Sequence, residues 1–140
     1  MVTEPPFLFN FAQLPQDQLS KKEGVGAVSW GQGSRGKLGL AGKQFQAVPI
    51  EIPSFRGKRL ESISCGNDSS IALSEFGEVF VFGSNYFNQL GISEGESAIP
   101  KQLDLAEVRP IEVSAGYRHS LILLDNGTII VNGNHTNAGV

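Results

Sequence analysis

Three glycines, Gly31, Gly83 and Gly133, stand 52 and 50 residues apart, and each closes a short apolar run. The spacing belongs to a longer self-similarity. AVSWGQGSRGKLG (27–39) aligns with VFVFGSNYFNQLG (79–91), and IIVNGNHTNAGV (129–140) opens a third copy. A second block, 62–83, aligns with 113–133 with Ser64 opposite Ser114 and no gap, so that Gly66 matches Gly116, Ser70 matches Ser120 and Gly77 matches Gly127. A period near fifty residues confines the chain to an array of one small unit, in which each unit buries its apolar residues only against its neighbours.

The repeat also decides how one motif is read. Gly31-Gln32-Gly33-Ser34-Arg35-Gly36 spells Gly-x-Gly-x-x-Gly after the apolar run 25–30, with Glu51 twenty residues on, where a ribose-binding acid would stand. A pyrophosphate site needs glycine where backbone meets phosphate, and a helix N-terminus behind it. In the second copy the positions of Gly33 and Gly36 are held by Asn85 and Asn88. Gly39 and Gly42 break any helix after the first copy, and no apolar positions recur there at helical spacing. The copies share Leu38-Gly39 and Leu90-Gly91, seven residues past the anchoring glycine. That predicts a tight loop with one buried leucine, and no nucleotide cofactor.

Each unit has the same grammar. Ser62–Cys65 and Glu112–Ala115 read as short strands ending at a glycine, and Ile71–Ser74 and Leu121–Leu124 as apolar strands. Turns follow at Glu75-Phe76-Gly77 and Asp125-Asn126-Gly127, then strands at Glu78–Phe82 and Thr128–Val131. Asn-Gly between two aliphatic runs is a strong hairpin signal, because both residues accept positive φ. The runs VFVF and IIV are apolar at successive positions, so both faces of these strands must be covered. Small sheets stacked face to face at this period predict an all-β fold, a β-propeller.

The motifs narrow the kind of propeller. A Gly-Gly doublet and Gly-His or Trp-Asp pairs are absent. Present are Trp30-Gly31, the loops Gly36-Lys37-Leu38-Gly39 and Asn88-Gln89-Leu90-Gly91, Pro49 and Pro100, Cys65-Gly66, and Ala115-Gly116-Tyr117-Arg118-His119-Ser120-Leu121. In order and spacing, residues 25–140 resemble the regulator of chromosome condensation repeat. There are departures. Ser69 stands where the other unit has His119, Asn132 replaces the aromatic of Trp30 and Phe82, and Ala138 replaces the loop Gly or Asn. The resemblance implies a seven-bladed propeller, of which this chain carries about two and a quarter units. Seven units need roughly 350 residues. The expectation is that the chain is a piece of a longer parent or a truncated product, or that other subunits supply the remaining blades.

Residues 1–24 stand outside the repeat. Phe7, Phe9 and Phe11 alternate as in a strand that completes a blade edge; alternatively 15–23 forms a helical turn or two ended at Gly24, or the segment is a linear docking motif. Across the 140 residues, 40% are hydrophobic, 18% are charged and the net charge is −3, so no basic field invites nucleic acid. No apolar run approaches the roughly twenty residues of a membrane helix. With one cysteine and no signal-like start, a reducing compartment, cytoplasm or nucleus, is expected. The acceptor patterns at Asn67, Asn126 and Asn134 then read as chance matches in polar turns.

Candidate chemistry is sparse. Cys65 lies opposite Ala115, as a small buried residue at a strand end rather than a nucleophile. His119 and His135 do not make a metal set with it, and Asp68, Glu75, Glu78, Asp104 and Asp125 are scattered singly in turns. No catalytic pair is expected. The repeat positions Trp30, Gly31, Leu38, Gly39, Cys65, Gly66, Gly77, Phe82, Gly83, Leu90, Gly91, Gly116, His119, Ser120, Gly127 and Gly133 are structural. By the resemblance, His119 bonds between strands and adjacent loops. Arg56, Lys58 and Arg59 form the densest basic stretch, a solvated loop or a contact with DNA or an acidic partner. Loops 32–37, 54–59, 84–89 and 93–98 would present one face to a protein. The resemblance implies either an interaction module tied to a small GTPase or a guanine nucleotide exchange factor for a Ran-like GTPase acting at chromatin.

Overall fold

The computed structural model describes residues 26–134. The expectations for 1–24, and for the third loop with His135 and Ala138, lie outside these residues. The described residues form nine strands: β1 (Val28–Gln32), β2 (Phe45–Glu51), β3 (Leu60–Cys65), β4 (Ser69–Ser74), β5 (Val79–Ser84), β6 (Glu96–Gln102), β7 (Pro110–Ala115), β8 (His119–Leu124) and β9 (Ile129–Gly133). They pair antiparallel in three sheets, β1-β2, β3-β4-β5-β6 and β7-β8-β9. These are successive blades of an incomplete β-propeller.

The second sheet shows why successive apolar residues were needed. Every residue of β4 and β5 is buried. Ile71, Leu73, Val79 and Val81 pack in one cluster with Val113, Ile122 and Leu124 of the third sheet. Ala72, Phe80 and Phe82 point the other way and pack with Ile52 and Phe55, which come after the first sheet in the chain. Phe55 meets Phe80 and Phe82 edge-on, at centroid distances of 5.3 and 6.0 Å. Each such side chain contributes about 1.5–3 kcal/mol by leaving water, and sheet two collects that contribution on both faces.

The hairpins form where Asn-Gly and Phe-Gly predicted them, but the turn differs. Only the glycine takes positive φ, at Gly77 (+79°) and Gly127 (+84°); Asn126 does not. The Gly77 N–H donates to the Ser74 carbonyl, and the Ser74 N–H to the Glu78 carbonyl; Gly127 and Leu124 repeat both bonds. This is a type I turn closed by a left-handed glycine, the three-residue hairpin, rather than a two-residue turn. The aligned Phe76 gives the reason: a geometry shared by both units cannot ask Phe for positive φ. Asn126 instead accepts from the Thr128 N–H with its side-chain oxygen, at 2.9 Å.

Strands β2 and β6 carry Pro49 and Pro100 inside them. Each is the outer strand of its sheet, bonded on one side only among the described residues, the place where a strand tolerates a residue with no N–H.

Antiparallel order fixes two ends. Strands β1, β3, β5, β7 and β9 all finish at one end, with segments 33–44, 66–68, 85–95 and 116–118; this is the loop end. At the other, the tether end, 52–59 and 103–109 carry the chain from one sheet to the next, and the two hairpin turns lie beside them. Segment 54–59 therefore does not share a face with 32–37 and 84–89, and the expected single face splits in two.

Candidate interaction surface

At the loop end, each sheet reaches over the next. Leu38 and Leu90 are buried, as a tight loop around one leucine requires. A Cβ on Gly39 would stand 3.2 Å from the Phe82 ring and from Pro100, and one on Gly91 would stand 2.9 Å from the Asn132 side chain. The Ser70 hydroxyl donates to the Lys37 carbonyl at 3.3 Å, and the Ser120 hydroxyl to the Gln89 carbonyl at 2.7 Å. These paired serines are the polar counterpart of the leucines, each binding the loop of the preceding sheet.

The Gly-x-Gly-x-x-Gly stretch is absorbed by the same packing. A Cβ on Gly33 would fall 1.8 Å from the Lys43 carbonyl oxygen, and one on Gly36 would fall 2.6 Å from the Ala98 Cα. Protein backbone lies where a pyrophosphate would have to lie. The stretch ends in a three-residue 3-10 turn, Ser34–Gly36, with no longer helix behind it. Asn88 takes φ +59° at the position where Gly36 takes +76°, so the second copy keeps the turn without the glycine. Asn85 replaces Gly33 by holding the loop with its amide: Nδ2 donates to the Ile92 and Glu94 carbonyls, and Oδ1 accepts from the Leu90 N–H.

The remaining repeat positions fall on the frame of the sheets. Gly83 and Gly133 close β5 and β9 at positive φ, where a Cβ would meet the carbonyls of Asp68 and Arg118 at 2.3 Å. Gly66 lies against the Gly116 carbonyl, where an added Cβ would come within 2.2 Å. Beside this contact the Ala115 N–H donates to Ser64 Oγ at 2.9 Å. Trp30 shares its register position with Phe82 but is 57% exposed, on the side of β1 turned away from the second sheet.

Two expectations change. Cys65 is exposed, not buried. It shares its side of β3 with Ile63, and the matching pair on β7, Val113 and Ala115, packs against sheet two; among the described residues the first sheet brings no strand to cover Cys65. Among the described residues the His119 side chain makes no hydrogen bond that bridges strand and loop. Its ring lies over Gly116, where a Cβ would come within 2.3 Å, and its Nδ1 is buried with no hydrogen-bond partner among the described residues.

The basic stretch at the tether end is matched by acids. Arg56 pairs with Glu51 at 3.0 Å, Lys58 with Glu78 at 3.4 Å and Arg59 with Glu75 at 3.5 Å. Lys58 also lies 5.1 Å from the centre of the Phe80 ring. The fully buried Phe55 anchors this loop.

A cleft of about 260 Å³ opens at the loop end between the loops of all three sheets. Arg35 enters from the first, Asp68, Tyr86 and Phe87 from the second, and Tyr117 and Arg118 from the third. Tyr86 is 77% exposed and Tyr117 59%. The Arg118 guanidinium stacks 4.2 Å from the Phe87 ring centre and 5.2 Å from that of Tyr117. Asp68 is paired with Lys37 at 2.9 Å and lies 3.8 Å from Arg35 Nε. Sequence reasoning singled out none of these as a group. The signal was present in the alignment: Tyr86 and Phe87 stand opposite Ser34 and Arg35, and Tyr117 and Arg118 opposite Asn67 and Asp68. At these loop positions the copies differ inside a constant frame, and two of the side chains there, Tyr86 and Tyr117, are exposed.

The sequence model of the Regulator of chromosome condensation (RCC1) repeat matches residues 28–73 and 77–123, and a second model of the same repeat matches 61–89 and 111–138. The first match runs from β1 through β4, so one sequence repeat spans halves of two sheets. The chain is 31% identical to the Ultraviolet-B receptor UVR8 of Arabidopsis thaliana over 110 residues, covering 77% of this chain and 25% of the receptor. It is 33% identical to the secretion-regulating guanine nucleotide exchange factor of Bos taurus over 96 residues, covering 67% of this chain and 21% of that protein. The crystal structure of human WBSCR16 superposes with a TM-score of 0.72 at 21% identity, over 79% of this chain and 29% of that one. The chain thus spans a quarter or less of the length of these two curated relatives.

Proposed function

The chain belongs to the regulator of chromosome condensation repeat family, and on that premise we propose that it is a non-catalytic, protein-binding segment of a propeller within a regulator of a small GTPase. One observation carries the reading: the loop-end cleft exposes two tyrosines and a stacked arginine on a frame held by inter-sheet bonds. Tyrosine and arginine dominate the energetic centres of protein interfaces. Among the described residues no group of three or more His, Cys, Asp or Glu could hold a metal, and no helix is long and apolar enough to cross a membrane. The proposed setting is the cytoplasm or nucleus.

The second reading is exchange activity on a Ran-like GTPase at chromatin; of this, the name of the bovine relative supports the exchange activity alone. Such activity works by stabilising the nucleotide-free GTPase, a shift of populations without covalent chemistry. A chromatin contact through Arg56, Lys58 and Arg59 would have to displace the three acids that pair with them.

The test is to immobilise the 140-residue chain and measure binding of a panel of small GTPases, GDP-loaded and nucleotide-free, alongside release of fluorescent GDP. Saturable binding with unchanged release is the expected result. Accelerated release moves the assignment to an exchange factor. No binding by any member removes the GTPase from the proposal.

A further inference from the structure

Taking the loop-end cleft as the place where a protein partner is held, we infer that it receives an acidic peptide segment, with a carboxylate on Arg118 and an apolar side chain between Tyr86 and Tyr117. The inference rests on the protein-binding reading of the cleft and adds the chemistry of what is bound.

Charge comes first. The chain as a whole carries a net charge of −3, yet this cleft gathers Arg35 and Arg118 around a single acid. Asp68 is already engaged: Lys37 Nζ and Asn67 Nδ2 donate to its two oxygens, and Arg35 Nε lies 3.8 Å away. Arg118 pairs with no carboxylate among the described residues. Its partners are the two rings. A guanidinium stacked on an aromatic face keeps its N–H fork in plane and pointing outward, where it bonds a carboxylate with two parallel hydrogen bonds.

Shape comes second. The volume of about 260 Å³ is below the roughly 300 Å³ at which small-molecule sites begin. It suits one or two side chains of a longer segment lying across the surface. Tyr86 and Tyr117 supply exposed, rigid rings from the second and third sheets, each losing little conformational entropy when covered. A nucleic-acid backbone is the poorer fit, because binding of that kind sums many phosphate contacts and one of these cations is committed to Asp68.

The probe is fluorescein-labelled acetyl-Asp-Glu-Phe-Asp-Glu-amide, read by anisotropy against the 140-residue chain in 150 mM salt, beside the same peptide with Asn and Gln in place of the acids. The acidic probe should bind about tenfold more tightly than the neutral one, and Arg118→Gln should remove about that factor. Arg118→Lys should recover only part, since lysine keeps the charge and loses the planar fork. Circular dichroism melting checks that the variants fold. Tyr86→Ala, at a side chain too exposed to support the fold, gives an independent arm and should weaken binding severalfold. Equal binding of the two peptides, or affinity unchanged in both Arg118→Gln and Tyr86→Ala, overturns the inference. So does a phosphopeptide or a single-stranded oligonucleotide that binds more tightly than the acidic probe. The two readings separate cleanly: acidic-probe binding with a silent GTPase panel ends the GTPase proposal alone, and the reverse ends this inference alone.

Discussion

The Ser120 hydroxyl donates to the Gln89 carbonyl across the boundary between the second and third sheets, with no competing acceptor among the described residues. Ser70, its counterpart one unit earlier, has its single proton within reach of both the Lys37 carbonyl and Cys65 Sγ, at 3.3 and 3.6 Å. Ala115 replaces that sulfur in the later unit, and the serine bond there is shorter. Ser120→Ala should therefore destabilise by about 1–3 kcal/mol, the range for stranding a buried acceptor, and Ser70→Ala by less. Urea unfolding of the two variants measures the difference directly; equal losses would mean that the proton of Ser70 is not divided.

Gly83 and Gly31 hold nearly the same φ, +105° and +99°, at the same place in the repeat. Their surroundings differ. A Cβ on Gly83 would collide with the Asp68 carbonyl and the Ser69 Cα, whereas nothing stands within 4 Å of one on Gly31. Gly31→Ala should cost about 1 kcal/mol, from backbone strain alone. Gly83→Ala should cost at least about 2 kcal/mol, because the β4–β5 pairing must also give way. Comparing the denaturation midpoints of the two variants isolates the collision from the strain.

Phe55 sits in the same loop as Arg56, with 0% of its surface exposed. Phe55→Ala should destabilise by about 3–5 kcal/mol through the cavity left against Phe80 and Phe82. Arg56→Gln, at an exposed ion pair, should change stability by no more than about 0.5 kcal/mol. The loop is thus fixed by its aromatic root and tolerant at its charged tip, and thermal melts of both variants would show it.

The carboxyl of Glu94 is held below the usual carboxylate range, first by its hydrogen bond from Lys101 and then by a backbone hydrogen bond within Glu94. A lowered folded-state value contributes stability above the unfolded pKa of about 4.3, and that contribution is lost as pH falls through the folded value. The group is fully exposed, so the effect is small. In Lys101→Met the Glu94 titration, followed by carbon-detected NMR, should move upward towards the ordinary range. An unmoved titration would mean that the ion pair does not persist in solution.

The inner strands were legible because the chain states them twice. VFVF in one unit and IIV in the next announce strands covered on both sides, and β5 packs in both clusters. Strands β2 and β6 were not legible. Pro49 and Pro100 argue against a strand interior, and only their place at the outer edge of a sheet lets them be strand. Alignment placed Cys65 with Ala115 correctly, but burial belongs to the neighbouring sheet and not to the position. The cleft was hidden for a related reason. Its residues are those in which the copies disagree, and disagreement carries no periodicity to detect. Strand direction decides which loops share an end, and it puts 54–59 opposite 84–89 once all four strands of a sheet are counted.

Each neighbouring pair of sheets is joined at both ends, by a covalent crossing at one and by an overlapping loop at the other. A door fastened along both edges does not swing. The walls of the cleft are therefore set before any guest arrives, and recognition there asks only that Tyr86 and Tyr117 settle their rings. Little ordering remains to be done by the bound segment's host, so the entropy lost on association falls mainly on the visitor. Discrimination between short segments by charge pattern, rather than by a change of shape, is the mode of binding such a rigid seat favours.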